Sequence, residues 1–180
     1  RLRGALDFQE LLAQEDGLTG LLNARTFRQR CDAIFMLAKR HGRPLALGYL
    51  DLDGFKGVND SFGHAVGDEV LKAVASALSK RLRASDLGSR LGGDEFAVLL
   101  PETDLAGART FFTELHESLV KLAGTNSWPV GFSIGVAVFH HARANPDDAL
   151  RYADGLMYKV KNSGKNNIFF EEYASEAGGG

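Results

Sequence analysis

An apolar run of strand length, Leu45-Ala46-Leu47-Gly48-Tyr49-Leu50, leads directly into Asp51-Leu52-Asp53. A segment apolar at both alternating positions describes a strand covered on both faces. It therefore belongs inside a sheet that carries helices above and below. The rest of the chain supplies them. Asn23 is placed to cap a helix reaching about Lys39, and Pro44 closes the connection into the strand. Val70, Leu71, Val74, Leu78 and Leu82 recur at helical spacing between about Asp68 and Arg83. Strand patterns at Leu87–Leu91 and Glu95–Leu100 flank Gly92-Gly93, and so short a gap makes a hairpin. A helix over Leu105–Leu122, a strand over Val130–Phe139, a helix over Pro146–Lys161 and a strand over Asn167–Phe170 complete the order. Crossovers mixed with a hairpin predict an α/β (α+β) fold. Its central sheet has about five strands, part parallel and part antiparallel, flanked by helices.

With 180 residues the chain is long enough for one domain with a sizeable core. Leu6, Leu11 and Leu12 mark residues 1–15 as the end of an amphipathic helix leading in from an upstream region. Residues 16–172 form the domain, and residues 173–180, ending in Ala177–Gly180, are expected to be a disordered tail. No apolar run approaches the roughly 20 residues that cross a bilayer. The start, Arg1-Leu2-Arg3-Gly4, lacks the core of a signal peptide, so a cytoplasmic domain is the default, with anchoring of a longer protein left open. A net charge of −2 argues against a nucleic-acid partner but not against an anionic small ligand. Cys31, alone in the chain, is expected to be a buried, inert thiol.

The chemistry concentrates in two stretches. Strand alternation puts Asp51 and Asp53 on one face and Leu52 on the other. The segment Gly54-Phe55-Lys56-Gly57-Val58-Asn59-Asp60 then reads as a loop whose amides and Lys56 cradle phosphate, though without the order of a Walker loop. Asn59 and Asp68 carry groups able to read a guanine edge. Their bland roles are a turn residue and a helix N-cap. In the second stretch, Gly92-Gly93 clears side chains from a turn that presents Asp94 and Glu95. Asp51 and Asp94 would bracket a divalent metal if their strands are neighbours, with Glu95 near enough to take a proton from an attacking hydroxyl. Phosphoryl or nucleotidyl transfer follows. His140-His141 lacks companions at ligand spacing and reads as a surface turn, and Trp128 reads as loop packing.

Together these motifs resemble the GGDEF family of diguanylate cyclases. The match runs from Asp16-Gly17-Leu18-Thr19 through Asp51–Lys56, Phe62-Gly63-His64, Gly67-Asp68-Glu69, Gly92–Phe96 and Ser133–Ala137 to Ala153-Asp154, Tyr158 and Lys161. The resemblance implies a fold like nucleotide cyclases and polymerase palms. It also implies condensation of two GTP into cyclic di-GMP and pyrophosphate by two domains face to face, a homodimer driven by an upstream sensory or regulatory domain. By the family pattern Asp51, the Leu52 carbonyl and Asp94 hold Mg2+ (or Mn2+). Asn59 and Asp68 bind guanine. Lys56, Lys161, Lys165, the amides near Phe55, and Gly92 and Gly93 face the nucleotide. Asp94 and Glu95 are the catalytic pair, with Glu95 as base or metal partner for the 3'-hydroxyl.

Arg83 and Asp86, five residues before Gly92, resemble the family's inhibitory site, where product docks. The bland reading is a surface ion pair. Lys165 stands where many members have arginine, and Thr110 and Glu114 stand where some place an arginine that completes a neighbour's product site, with Arg109 as a substitute. The alternative function is a catalytically silent domain acting as a receptor for cyclic di-GMP.

Overall fold

The computed structural model of the chain describes residues 2–140 and 145–173. The described helices are α1 (Leu2–Leu12), α2 (Ala24–His41), α3 (Phe55–Phe62), α4 (His64–Arg81), α5 (Leu105–Thr125) and α6 (Pro146–Asn162). The strands are β1 (Leu45–Asp53), β2 (Leu87–Gly92), β3 (Glu95–Pro101), β4 (Gly131–Phe139) and β5 (Ile168–Tyr173). They form a mixed sheet in the order β2-β3-β1-β4-β5, antiparallel except for the parallel pair β4 and β5.

The expected central strand is β1. Its even-numbered Ala46, Leu50 and Leu52 join Phe96, Val98, Phe132 and Ile134 under α4 and α5, with Val70, Val74, Phe112 and Leu115. Its odd-numbered Leu45, Leu47 and Tyr49 join Ala97, Leu99 and Ala137 under α2 and α6, with Phe27, Phe35, Ala153 and Leu156. Two half-cores on one strand explain why its sequence carries no polar alternation until Asp51. The acids continue the second face, so Asp51 and Asp53 sit inside the strand rather than in a loop beyond it.

The caps follow side-chain chemistry. Asn23 accepts a hydrogen bond from the Thr26 amide at 2.9 Å, and Gly42 ends α2 in the left-handed region at φ 61°. Asp104 and Asn145 cap α5 and α6 in the same way.

Three expectations need correction. The segment 54–60 is helix α3, opened by Gly54 at φ 76° and anchored by buried Val58. Phe55, Val58 and Phe62 carry its helical spacing, which glycine-rich composition masks. Helix α4 begins at His64, so Asp68 lies within it and is not its N-cap. Tyr173, expected in the tail, is the last residue of β5, in register with Phe139 and held between the Phe139 and Tyr152 rings at centroid distances of 5.2 and 5.0 Å. The expectations for Ala177–Gly180 and for His141 lie outside the described residues. Trp128 packs against the first half-core, and Cys31 is 1% exposed, its thiol pushed up to about 12 by burial. Among the described residues no helix is long and apolar enough to cross a membrane.

Helix α6 lies directly on β4. A Cβ at Gly135 would meet the Met157 nitrogen and the Ala153 oxygen, and the Leu156 carbonyl carbon at 2.8 Å. These are backbone atoms, which cannot turn aside. Gly135→Ala is therefore expected to cost about 3 kcal/mol and lower the thermal midpoint by about 10 °C, read by calorimetry.

Candidate active site

The register between β1 and β3 sets Asp51 opposite Glu95, and Asp94 precedes it on the hairpin turn. The turn depends on glycine: Gly92 and Gly93 take φ 151° and 51°, and a register shift between Arg90 and Gly92 lets the hairpin close. The main chain of the turn is tied to β1, with the Leu52 amide donating to the Asp94 carbonyl at 3.4 Å. The two acidic sites of the sequence are thus one site, at the C-terminal end of β1 beside the start of α3.

Its electrostatics are those of acids crowded in a half-buried place. Burial first, then the Asp94 carboxylate, push Asp51 up to about 7, against the opposing pull of Lys161. Asp51 Oδ1 is buried and has no hydrogen-bond partner among the described residues. An orphan carboxylate oxygen beside a second carboxylate and next to the Leu52 carbonyl suits a divalent cation better than it suits any neighbouring side chain. Among the described residues no group of three or more His, Cys, Asp or Glu forms a metal cage. Two carboxylates and a carbonyl fit magnesium, which binds few protein groups and completes its shell with water and phosphate oxygens.

Lys161, on the last turn of α6, lies against these acids. Its Nζ is 2.9 Å from Asp53 Oδ1 and 3.4 Å from Asp51 Oδ2, and donates to the Leu52 carbonyl at 3.4 Å. Burial pulls its pKa down, but the hydrogen bond to Asp53 and the charges of both acids outweigh this and hold the ammonium above the usual lysine range. Asp53 is fully engaged. It accepts from Ser133 Oγ at 2.7 Å and from the Asn166 amide at 2.8 Å, so it locks β1 to β4 and to the turn before β5. Sequence reasoning placed Asp53 on the right face but gave it, Ser133 and Asn166 no role. The motif Ser133-Ile134-Gly135 was the available signal, a hydroxyl for Asp53 followed by a glycine for α6.

In the sequence Tyr49 is only one residue of the apolar run. Its hydroxyl donates to Glu95 Oε2 at 2.8 Å. Burial first, and Glu95 next, keep that hydroxyl protonated far above the ordinary phenol range. Asp154 on α6 lies near the same group and is itself raised by burial.

Helices α3 and α4 bring the guanine-reading candidates together. Asn59 is half-buried against Gly67, where a Cβ would meet Asn59 Oδ1, and Asp68 is exposed one residue on. Lys56 is exposed on the first turn of α3, and Lys165 is exposed in the turn after α6 at φ 62°.

A sequence profile described as "Diguanylate cyclase, GGDEF domain" matches residues 13–167. The chain belongs to the GGDEF family. It is 36% identical over 159 residues to the probable diguanylate cyclase DgcC of Escherichia coli, covering 87% of this chain and 43% of that protein. It is 38% identical over 172 residues to the response regulator PleD of Caulobacter vibrioides, covering 93% of this chain and 38% of that one. This GGDEF chain thus spans less than half the length of these relatives. Among solved structures, the coiled coil and GGDEF domain of DgcB from Caulobacter crescentus, in complex with c-di-GMP, superimposes with a TM-score of 0.85 at 27% identity, covering 95% of this chain and 92% of that one. The diguanylate cyclase SiaD from Pseudomonas aeruginosa, in complex with its activator SiaC, gives 0.79 at 31%, covering 94% and 67%.

In this GGDEF domain Arg83 and Asp86 stand before β2, a strand's length of about 20 Å from the signature turn. They are closed on one another. Asp86, its side chain 1% exposed, accepts from the Arg83 amide at 2.8 Å and from the guanidinium at 3.3 and 3.4 Å, and Arg83 also reaches Thr103 at 3.3 Å. The geometry is that of the ion pair, with the Arg83 side chain 65% exposed. Arg109 lies over the Phe170 ring at 4.8 Å, and Glu114, which pairs with Arg81 at 2.9 Å, lines one cleft with Arg83 and Thr110.

The N-terminal motif of the GGDEF domain also reaches the signature. Asp16 accepts from the Thr19 amide and hydroxyl at 2.9 and 2.7 Å, and pairs with Arg90 at 3.2 Å. Arg90 in turn donates to the Gly93 carbonyl at 2.9 Å. Burial raises Asp16, but the Thr19 bonds and Arg90 together hold it below the usual carboxylate range. One arginine thus ties the segment after α1 to the signature turn.

Proposed function

We propose that the domain condenses two GTP molecules into cyclic di-GMP and releases two pyrophosphates, with one nucleotide on each of two copies set face to face. The observation that carries this reading is the meeting, at one strand end, of the unpartnered Asp51 oxygen with Asp94 and Glu95 of an intact signature. Asn59 and Asp68 hold guanine. Lys56, Lys161, Lys165, the amides at the start of α3 near Phe55, and Gly92 and Gly93 face the phosphates. Asp51, Asp94 and the Leu52 carbonyl would hold Mg2+ or Mn2+, which when bound polarises the phosphate and neutralises its charge.

In each half-reaction the 3'-hydroxyl oxygen of one nucleotide attacks the α-phosphorus of the other. A phosphorus–oxygen bond forms, the bond to the bridging oxygen breaks, and pyrophosphate leaves. Glu95 takes the hydroxyl proton. Because one copy holds one nucleotide, a lone domain has no acceptor, and two copies are required. Leu2 and Leu6, one turn apart on α1 and exposed, offer a face on which two copies pair below an upstream regulatory region. A GTP substrate places the domain in the cytoplasm. Cyclic di-GMP feeds back by opening the Arg83–Asp86 pair, with the guanidinium gripping phosphate or base.

Chromatography of products from GTP and Mg2+ tests this. Cyclic di-GMP is expected, with an initial rate that rises as the square of protein concentration when dilute and falls with added product. Arg83→Ala is expected to relieve that inhibition. Absence of product at every protein concentration, with GTP still bound, would overturn the proposal in favour of a binding module.

A further inference from the structure

Glu95 stands at the very start of β3, next to the positive-φ glycines of the turn, on a side chain with three rotatable bonds. A base must present one oxygen to the incoming hydroxyl in a narrow range of positions. Something has to hold it. The candidates around it are Asp51, directly opposite and of like charge, and Tyr49, one step back along the same face of β1. Tyr49 meets Glu95 on the diagonal across the β1–β3 ladder, a spacing within reach of an aromatic side chain. Its ring is fixed in the half-core with Leu47, Ala97, Ala153 and Leu156, and the residue is only 9% exposed. Its register partner on β4 is Gly135, which brings α6 down onto the sheet and walls the ring in. A hydroxyl carried on so rigid a ring is a fixed donor.

We infer that Tyr49 is a positioning residue for the reaction, its hydroxyl clamping Glu95 Oε2 and leaving Oε1 to receive the proton of the 3'-hydroxyl. The inference rests on the reading of Glu95 as the base. Tyr49 touches neither substrate nor metal and acts only through the carboxylate. Core packing alone asks for the ring and not for the oxygen. Phenylalanine would fill the same space against Leu47, Ala97, Ala153 and Leu156.

The test is Tyr49→Phe in the full domain, alone and combined with Glu95→Gln. It uses steady-state synthesis of cyclic di-GMP, calorimetric affinity for an α,β-methylene analogue of GTP, and the thermal midpoint. The expected result for Tyr49→Phe is a kcat lowered about tenfold, with the KM for GTP and the analogue affinity within about twofold of wild type. In the Glu95→Gln background, itself low in turnover, the same change is expected to move the residual rate less than about twofold, because the group it positions is gone. A Tyr49→Phe variant with kcat within about twofold of wild type, beside an inactive Glu95→Gln, overturns this inference and leaves the base intact. A loss of kcat accompanied by loss of analogue affinity assigns Tyr49 to packing and also overturns it. Full turnover by Glu95→Gln removes the base reading itself, and the role of Tyr49 with it.

Discussion

Asp94→Asn is expected to lower cyclic di-GMP synthesis by about three orders of magnitude or more, while leaving the fold as stable as before or slightly more so. The two halves of this result have the same cause. Asp51 and Asp94 are like charges crowded at one strand end, and their repulsion helps to push Asp51 up to about 7. The amide keeps the shape of the turn and the main-chain bond from Leu52 to the Asp94 carbonyl, but removes the charge. Relief of repulsion favours the folded state. The same relief removes what a divalent cation would otherwise have supplied, so metal affinity falls. The wild type should show a pH signature. Below about pH 7 Asp51 is largely protonated and cannot serve as a ligand, so affinity for Mg2+ rises as pH climbs from 6 to 8 and then levels. In Asp94→Asn, where burial still raises Asp51 but the neighbouring charge is gone, that rise moves to lower pH. Metal titrations by calorimetry across this range, beside thermal melts, measure both. Wild-type turnover in Asp94→Asn would remove Asp94 from the metal site, and a large fall in its thermal midpoint would show that the carboxylate is structural.

The sheet was legible because its strands carry unambiguous patterns. Leu45–Leu50 is apolar at both alternations, and Gly92-Gly93 separates two strand-like runs too closely for anything but a hairpin. The order β2-β3-β1-β4-β5 is not written in any one segment, since pairing of β1 with both β3 and β4 depends on how helices cover the two half-cores. Helix α3 was hidden by composition. Gly54 and Gly57 read as loop residues, and only Phe55, Val58 and Phe62 carry the period. At the site, Asp51, Asp94 and Glu95 come together because β1 pairs with β3, the condition that the sequence leaves open. The groups that hold the site were harder to see. Tyr49 in an apolar run and Ser133 before Ile134-Gly135 look like ordinary strand residues until register and burial show what their oxygens face. The family resemblance assigns Lys161 to phosphate. Here its ammonium rests on Asp53 and Asp51, a position that spacing 108 to 110 residues along the chain cannot disclose.

Gly67→Ala is expected to weaken GTP without unfolding the protein, raising the KM about 10- to 100-fold with little change in thermal midpoint. The glycine lies buried in α4, one residue before Asp68, where α3 crosses closely. A methyl group there would overlap Asn59 Oδ1 and stand 3.0 Å from its Cγ, with Phe55 Cζ at 3.3 Å. Which group gives way decides the outcome. The Asn59 carboxamide is the free end of a side chain, unlike the backbone that blocks Gly135, so it swings aside while the helices stay. Overpacking costs about 1 kcal/mol at such a site, and alanine in place of glycine inside a helix returns about as much. The cost therefore falls on the ligand. A displaced carboxamide no longer meets the guanine edge that Asn59 and Asp68 are proposed to share, and discrimination of GTP from ATP narrows with it. Gly155→Ala on α6, where an added Cβ meets nothing within 4 Å among the described residues, is the control. It makes the same chemical change in a helix with no such neighbour, and is expected to raise the thermal midpoint slightly and leave the KM unchanged. If Gly67→Ala behaves like Gly155→Ala, the Asn59 carboxamide is not part of the nucleotide site. If it unfolds the domain, the close crossing of α3 and α4 serves stability and not the guanine.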